Sequence, residues 1–243
     1  MSVNGAKAAT LRVFRFDPEV DAAHRYDTYQ VPMRPGLTVL EALFYVLERL
    51  DGSLAFRYSC RGAVCGACAM RVNGRFRLAC RTQLGDLGDG EVLVEPLHNL
   101  PLIKDLVVDM DPFFEKYERI MPYLIANTEM PPEEESYQSP KDRLAVDEMI
   151  GCILCGACYA ACTMCGTRED YLGPAALTKA YRFVADSRDE GRKRRLEVVS
   201  GEDGVLRCHT IFNCAEVCPK EINPTASIQA LKKLAARKKL GLG

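Results

Sequence analysis

Alternation comes first along this chain. Leu11-Arg12-Val13-Phe14-Arg15-Phe16 sets apolar side chains against basic ones, the pattern of a half-buried strand, and Asp17-Pro18 ends it. Residues 26–31 predict a second strand, so the pair makes a hairpin with a long loop. After Pro35-Gly36 the period changes. Leu40, Leu43, Phe44, Leu47 and Leu50 recur at helical spacing, and Asp51-Gly52 stops the helix. Thr38, with Glu41 three residues on, supplies a capping box at its start. Residues 70–72 and 75–79, joined by Asn73-Gly74, predict a hairpin with a type I′ turn. Residues 91–95 give one more short strand before Pro96.

Two strands followed by a helix resemble the start of a β-grasp domain. From residue 97 to about 126 the pattern loosens. Leu102, Ile103, Leu106 and Val107, then Phe113, Phe114 and Tyr117, predict helical or irregular crossing segments. Residues 129–140 are acidic and proline-rich and read as a solvated loop. The main boundary falls near residue 105, giving domains 1–105 and 106–243. Residues 142–149 predict the helix that delivers Cys152. Residues 174–188 carry Leu177, Ala180, Tyr181 and Val184 on one face, a core stripe. Lys193-Arg194-Arg195 reads as a surface cluster. Asn223-Pro224 opens a last helix, an N-cap followed by proline at the first position. Its apolar face is Ile228, Leu231 and Leu234. Lys232, Lys233, Arg237, Lys238 and Lys239 crowd its end, where cations suit the helix dipole or can meet anionic headgroups.

Composition narrows the function. At 243 residues one or two domains are possible, and the formal net charge of −1 gives no sign of a nucleic-acid partner. Met1 to Thr10 has no apolar core of signal-peptide length, and no run approaches the roughly 18–20 apolar residues that span a bilayer. The chain is expected to be soluble by itself in a reducing compartment. Its 12 cysteines sit in tight clusters, which favours metal ligation over a disulfide framework.

The first cluster is Cys60, Cys65 and Cys68, with Cys80 later; the first two gaps match the plant-type pattern for a [2Fe–2S] centre. Gly62, Ala63, Gly66 and Ala67 let backbone amides approach the sulfurs. The second set is Cys152, Cys155, Cys158 and Cys162, and in two-cluster ferredoxins the fourth cysteine of such a run serves the other cluster. Downstream stand Cys208, Cys214 and Cys218-Pro219. Zinc sites take four ligands, commonly in two pairs, not a braided set of seven. By the cross-over rule Cys218 completes a [4Fe–4S] cube with Cys152, Cys155 and Cys158. Cys162 then joins Cys208 and Cys214, and three thiolates hold a [3Fe–4S] centre. Ile211 stands where a ferredoxin would place another cysteine. Cys165 is either an eighth ligand, making the second centre a cube, or a free buried thiol; its place outside the downstream pattern favours the thiol.

Clusters of three kinds imply sequential one-electron transfer. The sequence has no Walker loop, nucleophile elbow or dinucleotide fingerprint, and His24, His98 and His209 are scattered. No residue is assigned a catalytic role, and the chemistry is expected in partner subunits.

These motifs together resemble the iron–sulfur subunit of succinate dehydrogenase and fumarate reductase. The carriers are Cys60 to Cys68 with Leu78-Ala79-Cys80-Arg81-Thr82, Gly151 to Cys158, Tyr181-Arg182-Phe183 with Asp186-Ser187-Arg188-Asp189, and Arg207-Cys208-His209 through Cys218-Pro219-Lys220. The resemblance implies an α+β chain: an N-terminal β-grasp [2Fe–2S] ferredoxin-like domain and a C-terminal all-α helical ferredoxin domain. It implies an FAD-bearing flavoprotein partner and a membrane anchor carrying haem b. Electrons from succinate would pass FAD, [2Fe–2S], [4Fe–4S] and [3Fe–4S] to a quinone, on the cytoplasmic face of a prokaryotic plasma membrane. Reverse flow, as a quinol:fumarate reductase, is the alternative, and a non-catalytic cluster scaffold is a further one.

Some family members replace the third N-terminal cysteine by aspartate; Cys68 here implies all-thiolate ligation. After the position of Cys162 the family usually has proline, then tryptophan in ubiquinone-reducing members. This chain has Thr163-Met164-Cys165 and no tryptophan, which favours menaquinone or a pocket built by the anchor. The resemblance makes Thr163, His209 and Ile211 quinone-proximal.

Overall fold

The computed structural model describes residues 8–126 and 135–241. The N-terminal stretch through residue 7 and residues 127–134 of the acidic, proline-rich segment lie outside the described residues. Contacts divide the chain into two units. One runs through Met110 and includes Ile153–Ala160; the other holds Asp111–Cys152 and the chain from Ala161 onward.

In the first unit the alternating stretch forms β1 (Ala8–Arg15), paired antiparallel with β2 (Arg25–Pro32) as the predicted hairpin. Helix α1 (Val39–Tyr45) buries Val39, Leu40, Ala42 and Leu43, and a π-helical turn, Val46–Leu50, extends it. The capping box is present: Glu41 N–H donates to Thr38 Oγ1 at 3.2 Å, and Thr38 N–H to Glu41 Oε2 at 2.9 Å. β3 (Ala69–Val72) and β4 (Arg75–Leu78) follow. Asn73 and Gly74 both have positive φ, 46° and 77°, as a type I′ turn requires. With β5 (Val92–Glu95) these strands make one mixed sheet of order β2-β1-β5-β3-β4, in which β1 and β5 run parallel.

The inward face of β1 runs Leu11, Val13 and then Arg15, a guanidinium only 3% exposed. It is kept there by partners that satisfy it. Arg15 Nε donates to Asp105 at 3.0 Å, and its terminal nitrogens donate to Tyr29 Oη at 2.6 Å, Ser53 Oγ at 2.8 Å and Asp51. Asp105 also accepts from the amides of Phe16 and Ala55 at 2.9 and 2.8 Å. This need for Asp105 accounts for a departure from the predicted helical or irregular path. Residues 102–108 form a short hairpin, β6 (Leu102–Lys104) and β7 (Val107–Val108), with Asp105 at φ 47° between them.

The second unit is helical. It contains α2 (Asp111–Glu118) and α3 (Pro140–Ile150), the latter capped by Ser139. The short α4 (Ala157–Ala160) belongs to the first unit. Then come α5 (Thr163–Thr167), α6 (Gly173–Val184), α7 (Arg192–Val199), α8 (Asn213–Glu216) and α9 (Pro224–Lys239). α6 packs against α2, α3, α7 and α9. Its buried stripe is Leu177, Ala180, Phe183 and Val184, with Tyr181 only half-buried. The Asn223 side chain caps α9 through the Ala226 amide at 3.0 Å. Ile228, Leu231 and Ala235 are buried on α9, and Leu234 is half-buried.

Lys193 and Arg194 are exposed, as the reading of 193–195 as a surface cluster expects, but Arg195 is not. It has no exposed surface. Its guanidinium ion-pairs with Asp189, donates to the carbonyls of Ile120, Met121 and Tyr123, and lies 4.6 Å from the Phe183 ring centroid. Backbone carbonyls in the irregular segment after α2 supply the partners that a basic residue needs to be buried.

Candidate iron–sulfur sites

None of the twelve cysteines, each among the described residues, is in a disulfide. In the first unit the loop after residue 59 wraps its own sulfurs. Gly62, Val64 and Cys65 donate their amides to Cys60 Sγ at 3.4, 3.3 and 3.3 Å, and Cys60 N–H donates to Cys65 Sγ at 3.4 Å. Left-handed backbone at Arg61 (φ 55°), Ala63 (57°) and Gly66 (74°) bends the loop back on itself. Donors aimed at a sulfur favour its charged form. The Cys60 thiol is accordingly drawn down to about 6 by the Gly62, Val64 and Cys65 amides and by the Cys65 side chain.

Cys68 lies at the buried end of this loop, beside Cys80. Burial pushes its thiol up to about 12, and its bond with the Cys80 side chain adds to that rise. Cys80 is held by the frame around it: Ala79 N–H donates to the Cys68 carbonyl at 3.0 Å. The first amides of α1, those of Leu40 and Val39, donate to Ala79 and Thr82 at 3.1 and 2.8 Å. The structure thus links Cys60 with Cys65 and sets Cys68 beside Cys80; among the described residues no group of three or more His, Cys, Asp or Glu side chains is arranged to hold a metal ion. Arg61 stacks over Phe44 at 4.6 Å, fixing a cation beside the loop.

Of the next set, Cys155 and Cys158 belong to the first unit, while Cys152 and Cys218 belong to the second. Left-handed turns at Leu154 (φ 52°) and Gly156 (80°) repeat the loop geometry seen around Cys60. In the second unit, Lys179 donates to the Met149 carbonyl at 3.2 Å, and burial lowers its pKa against the opposing charge of Cys152.

The second unit also holds a cavity of about 360 Å³, counting its open mouth. Cys162, Cys208 and Cys214 line it, and so do Thr163, His209 and Ile211, so these six residues share one site. Thr210 N–H donates to Cys208 Sγ at 3.4 Å, and Cys214 Sγ lies 3.4 Å from Thr225 Oγ1. Thr210 and Phe212 are again left-handed, at φ 60° and 70°. The Cys162 thiol is brought down to about 6, chiefly by a hydrogen bond from the Cys165 side chain. Burial holds the Cys214 thiol up. Ile211 and Phe212 are half exposed at the mouth, at 52% and 49%.

Sequence reasoning missed three residues here. Tyr171 is fully buried in the cavity wall, and burial followed by the nearby cysteine charges keeps its phenol neutral. Lys232 and Gln229 on α9 donate to Cys208 O at 2.7 Å and Thr210 Oγ1 at 2.8 Å, pinning the cysteine loop. The sequence put Lys232 among the cations crowding the end of α9 and did not single out Gln229, and nothing in it named the loop they reach.

Residues 10–115 match a family of 2Fe-2S iron-sulfur cluster binding domains, and residues 148–222 a family of 4Fe-4S dicluster domains. The chain is 43% identical over 223 residues to the fumarate reductase iron-sulfur subunit of Escherichia coli O157:H7, covering 92% of this chain and 91% of that one. It is 40% identical over 227 residues to the protein of the same name from Mycobacterium tuberculosis (strain CDC 1551 / Oshkosh), covering 93% and 92%. Among solved structures it matches a chain of the Mycobacterium smegmatis Sdh1 complex in the apo form. That match has a TM-score of 0.89 at 28% identity and covers 97% of this chain and 98% of that one.

Proposed function

Because the chain belongs to the family of succinate dehydrogenase and fumarate reductase iron–sulfur subunits, we propose that it carries electrons one at a time between an FAD-bearing flavoprotein and a quinone at a membrane anchor. Cys60, Cys65, Cys68 and Cys80 would hold a [2Fe–2S] cluster. Cys152, Cys155, Cys158 and Cys218 would hold [4Fe–4S], and Cys162, Cys208 and Cys214 would hold [3Fe–4S]. When bound, these clusters supply the one-electron steps between a two-electron flavin and a two-electron quinone.

The observation that carries the reading is the treatment of the sulfurs. Three amides converge on Cys60 and one donates to Cys208, and three cysteines line one cavity. Such donors stabilise added negative charge on a ligated cluster and raise its potential. Half-exposed Ile211 and Phe212 beside His209 suit an apolar partner at the quinone end. Among the described residues no helix is long and apolar enough to cross a membrane; the anchor, with any haem b, would be a partner subunit of the family's kind. We place the chain on the cytoplasmic face of a prokaryotic plasma membrane, oxidising succinate to fumarate and reducing quinone to quinol. The absence of tryptophan means that no indole of this chain can bind the quinone, consistent with menaquinone.

The curated relatives are named fumarate reductase subunits, which favours a second reading with the flow reversed. Rates of succinate oxidation and of quinol-driven fumarate reduction in one purified complex separate the two. Cys214→Ser tests the wire itself. It is expected to abolish quinone reduction and the [3Fe–4S] signal while succinate still reduces an artificial dye. Quinone reduction persisting at the wild-type rate would contradict the proposal.

A further inference from the structure

The second unit holds another cavity, of about 730 Å³ counting its open mouth, and no cysteine lines it among the described residues. Three cations do. Lys179 and Arg182 stand three residues apart on α6, so their side chains are neighbours, and Arg188 follows that helix. Among the described residues that line the cavity there is no carboxylate. The acid that pairs with the two arginines, Asp186, has no exposed side chain and is already saturated. It accepts from Arg188 Nε and Nη2 at 2.9 Å each, from Arg182 Nη2 at 3.1 Å and from Gln138 Nε2 at 3.1 Å. Lys179 donates to the Met149 carbonyl and feels the charge of Cys152. The other terminal nitrogen of Arg182, Nη1, is buried and has no hydrogen-bond partner among the described residues. A buried donor without an acceptor is costly, and an acceptor entering the cavity is the partner it lacks.

The rest of the lining is apolar. Phe183 is buried, while Tyr123, Leu124 and Ile150 are exposed, Tyr123 at 60%. Large apolar side chains gathered at one opening mark a contact site. An apolar wall with a few convergent polar groups is also the form that small-molecule pockets take. We propose that this cavity binds a small organic carboxylate, its anionic end on Lys179 and Arg182 and its apolar body against Tyr123, Leu124 and Ile150. The planar guanidinium fork matches a carboxylate. A compact anion such as inorganic phosphate would meet the cations and leave the apolar wall in water.

The test is ligand-observed fluorine NMR with 4-(trifluoromethyl)benzoate and the purified whole complex, with malonate in excess to fill the dicarboxylate site of the flavoprotein. Wild type is expected to bind the probe saturably, and equal inorganic phosphate is expected not to displace it. Lys179→Gln keeps a donor for the Met149 carbonyl but loses the charge, and is expected to weaken binding about tenfold, the size of one charge-assisted hydrogen bond. Tyr123→Ala is expected to weaken it about threefold through lost apolar contact. Lys193→Gln, at an exposed position outside the cavity lining, is expected to bind as wild type. No saturable binding to wild type would overturn the proposal. Wild-type affinity in Lys179→Gln would also overturn it, by placing the probe elsewhere. Wild-type affinity in Tyr123→Ala, or displacement by phosphate, would leave a general anion site and overturn the organic ligand. If Lys179→Gln yields no complex, Tyr123→Ala decides: weakened binding supports the site, and unchanged binding overturns it.

Discussion

Substituting Gly66 by alanine separates two costs that the structure imposes on the first cysteine loop. Gly66 has φ +74°, and a Cβ there would lie 2.8 Å from Cys155 Cβ, 2.9 Å from Cys155 Cα and 2.9 Å from the Ile153 carbonyl. Two of those atoms are backbone and cannot swing away. Gly36 has the same φ, +74°, with nothing within 4 Å of its notional Cβ. Gly36→Ala therefore carries only the left-handed backbone cost, about 1–2 kcal/mol. Gly66→Ala adds the overlap, about 1–3 kcal/mol for overpacking in a rigid setting, for a total of roughly 2–5 kcal/mol. At roughly 2–4 °C per kcal/mol for a chain of this size, Gly66→Ala lowers the apparent melting temperature by about 4–20 °C. Gly36→Ala lowers it by only about 2–8 °C. The assay is differential scanning fluorimetry of the cluster-loaded complex, with visible absorbance followed on the same ramp. Loss of cluster colour is expected to move with the melting transition in Gly66→Ala, because the clash falls on a cysteine. Equal melting temperatures for the two variants would refute the argument, since they would show that the loop and the 153–155 segment are not in the close contact described.

Two more outcomes follow from buried and activated groups. Arg195→Leu leaves Asp189 charged in the interior and takes the donor from three carbonyls, so about 3–5 kcal/mol of stability is lost; a variant with wild-type soluble yield and melting temperature would contradict this. In the cluster-free chain the Cys60 thiol, drawn down to about 6 by its amide donors, is a thiolate at neutral pH. Alkylation by iodoacetamide, followed by mass spectrometry, is expected to rise through about pH 6 at Cys60, while Cys68, pushed up to about 12 by burial, stays unreactive until strongly alkaline pH. Equal pH profiles at the two residues would count against the amide cradle.

Much of this was legible because the signals were local. The capping box at Thr38, the Asn73-Gly74 turn and the Asn223-Pro224 helix start are each decided within four residues, and each appears as read. The α+β division also followed from period, since strand alternation gives way to helical stripes after the first half. What could not be read is what depends on distant partners. Arg195 looked like surface because its sequence neighbours are basic, yet the carbonyls that bury it come from residues 120–123. The hairpin at 102–108 exists because Asp105 must reach Arg15 on β1, ninety residues away. At the candidate sites, spacing nominated every cysteine. It could not show that Tyr171, Gln229 and Lys232 would close around the loop that carries Cys208. Cysteine spacing reports ligands; the groups that tune them arrive through packing.

The central claim is that three clusters of distinct kind connect a flavin to a quinone through this chain. Low-temperature electron paramagnetic resonance of the purified complex, oxidised and then treated with succinate, tests it most directly. The account predicts a [3Fe–4S] signal in the oxidised complex that disappears with succinate, as a [2Fe–2S] signal grows. An oxidised complex without that signal, showing two [4Fe–4S] centres on strong reduction, would contradict the ligand count on which the wire rests.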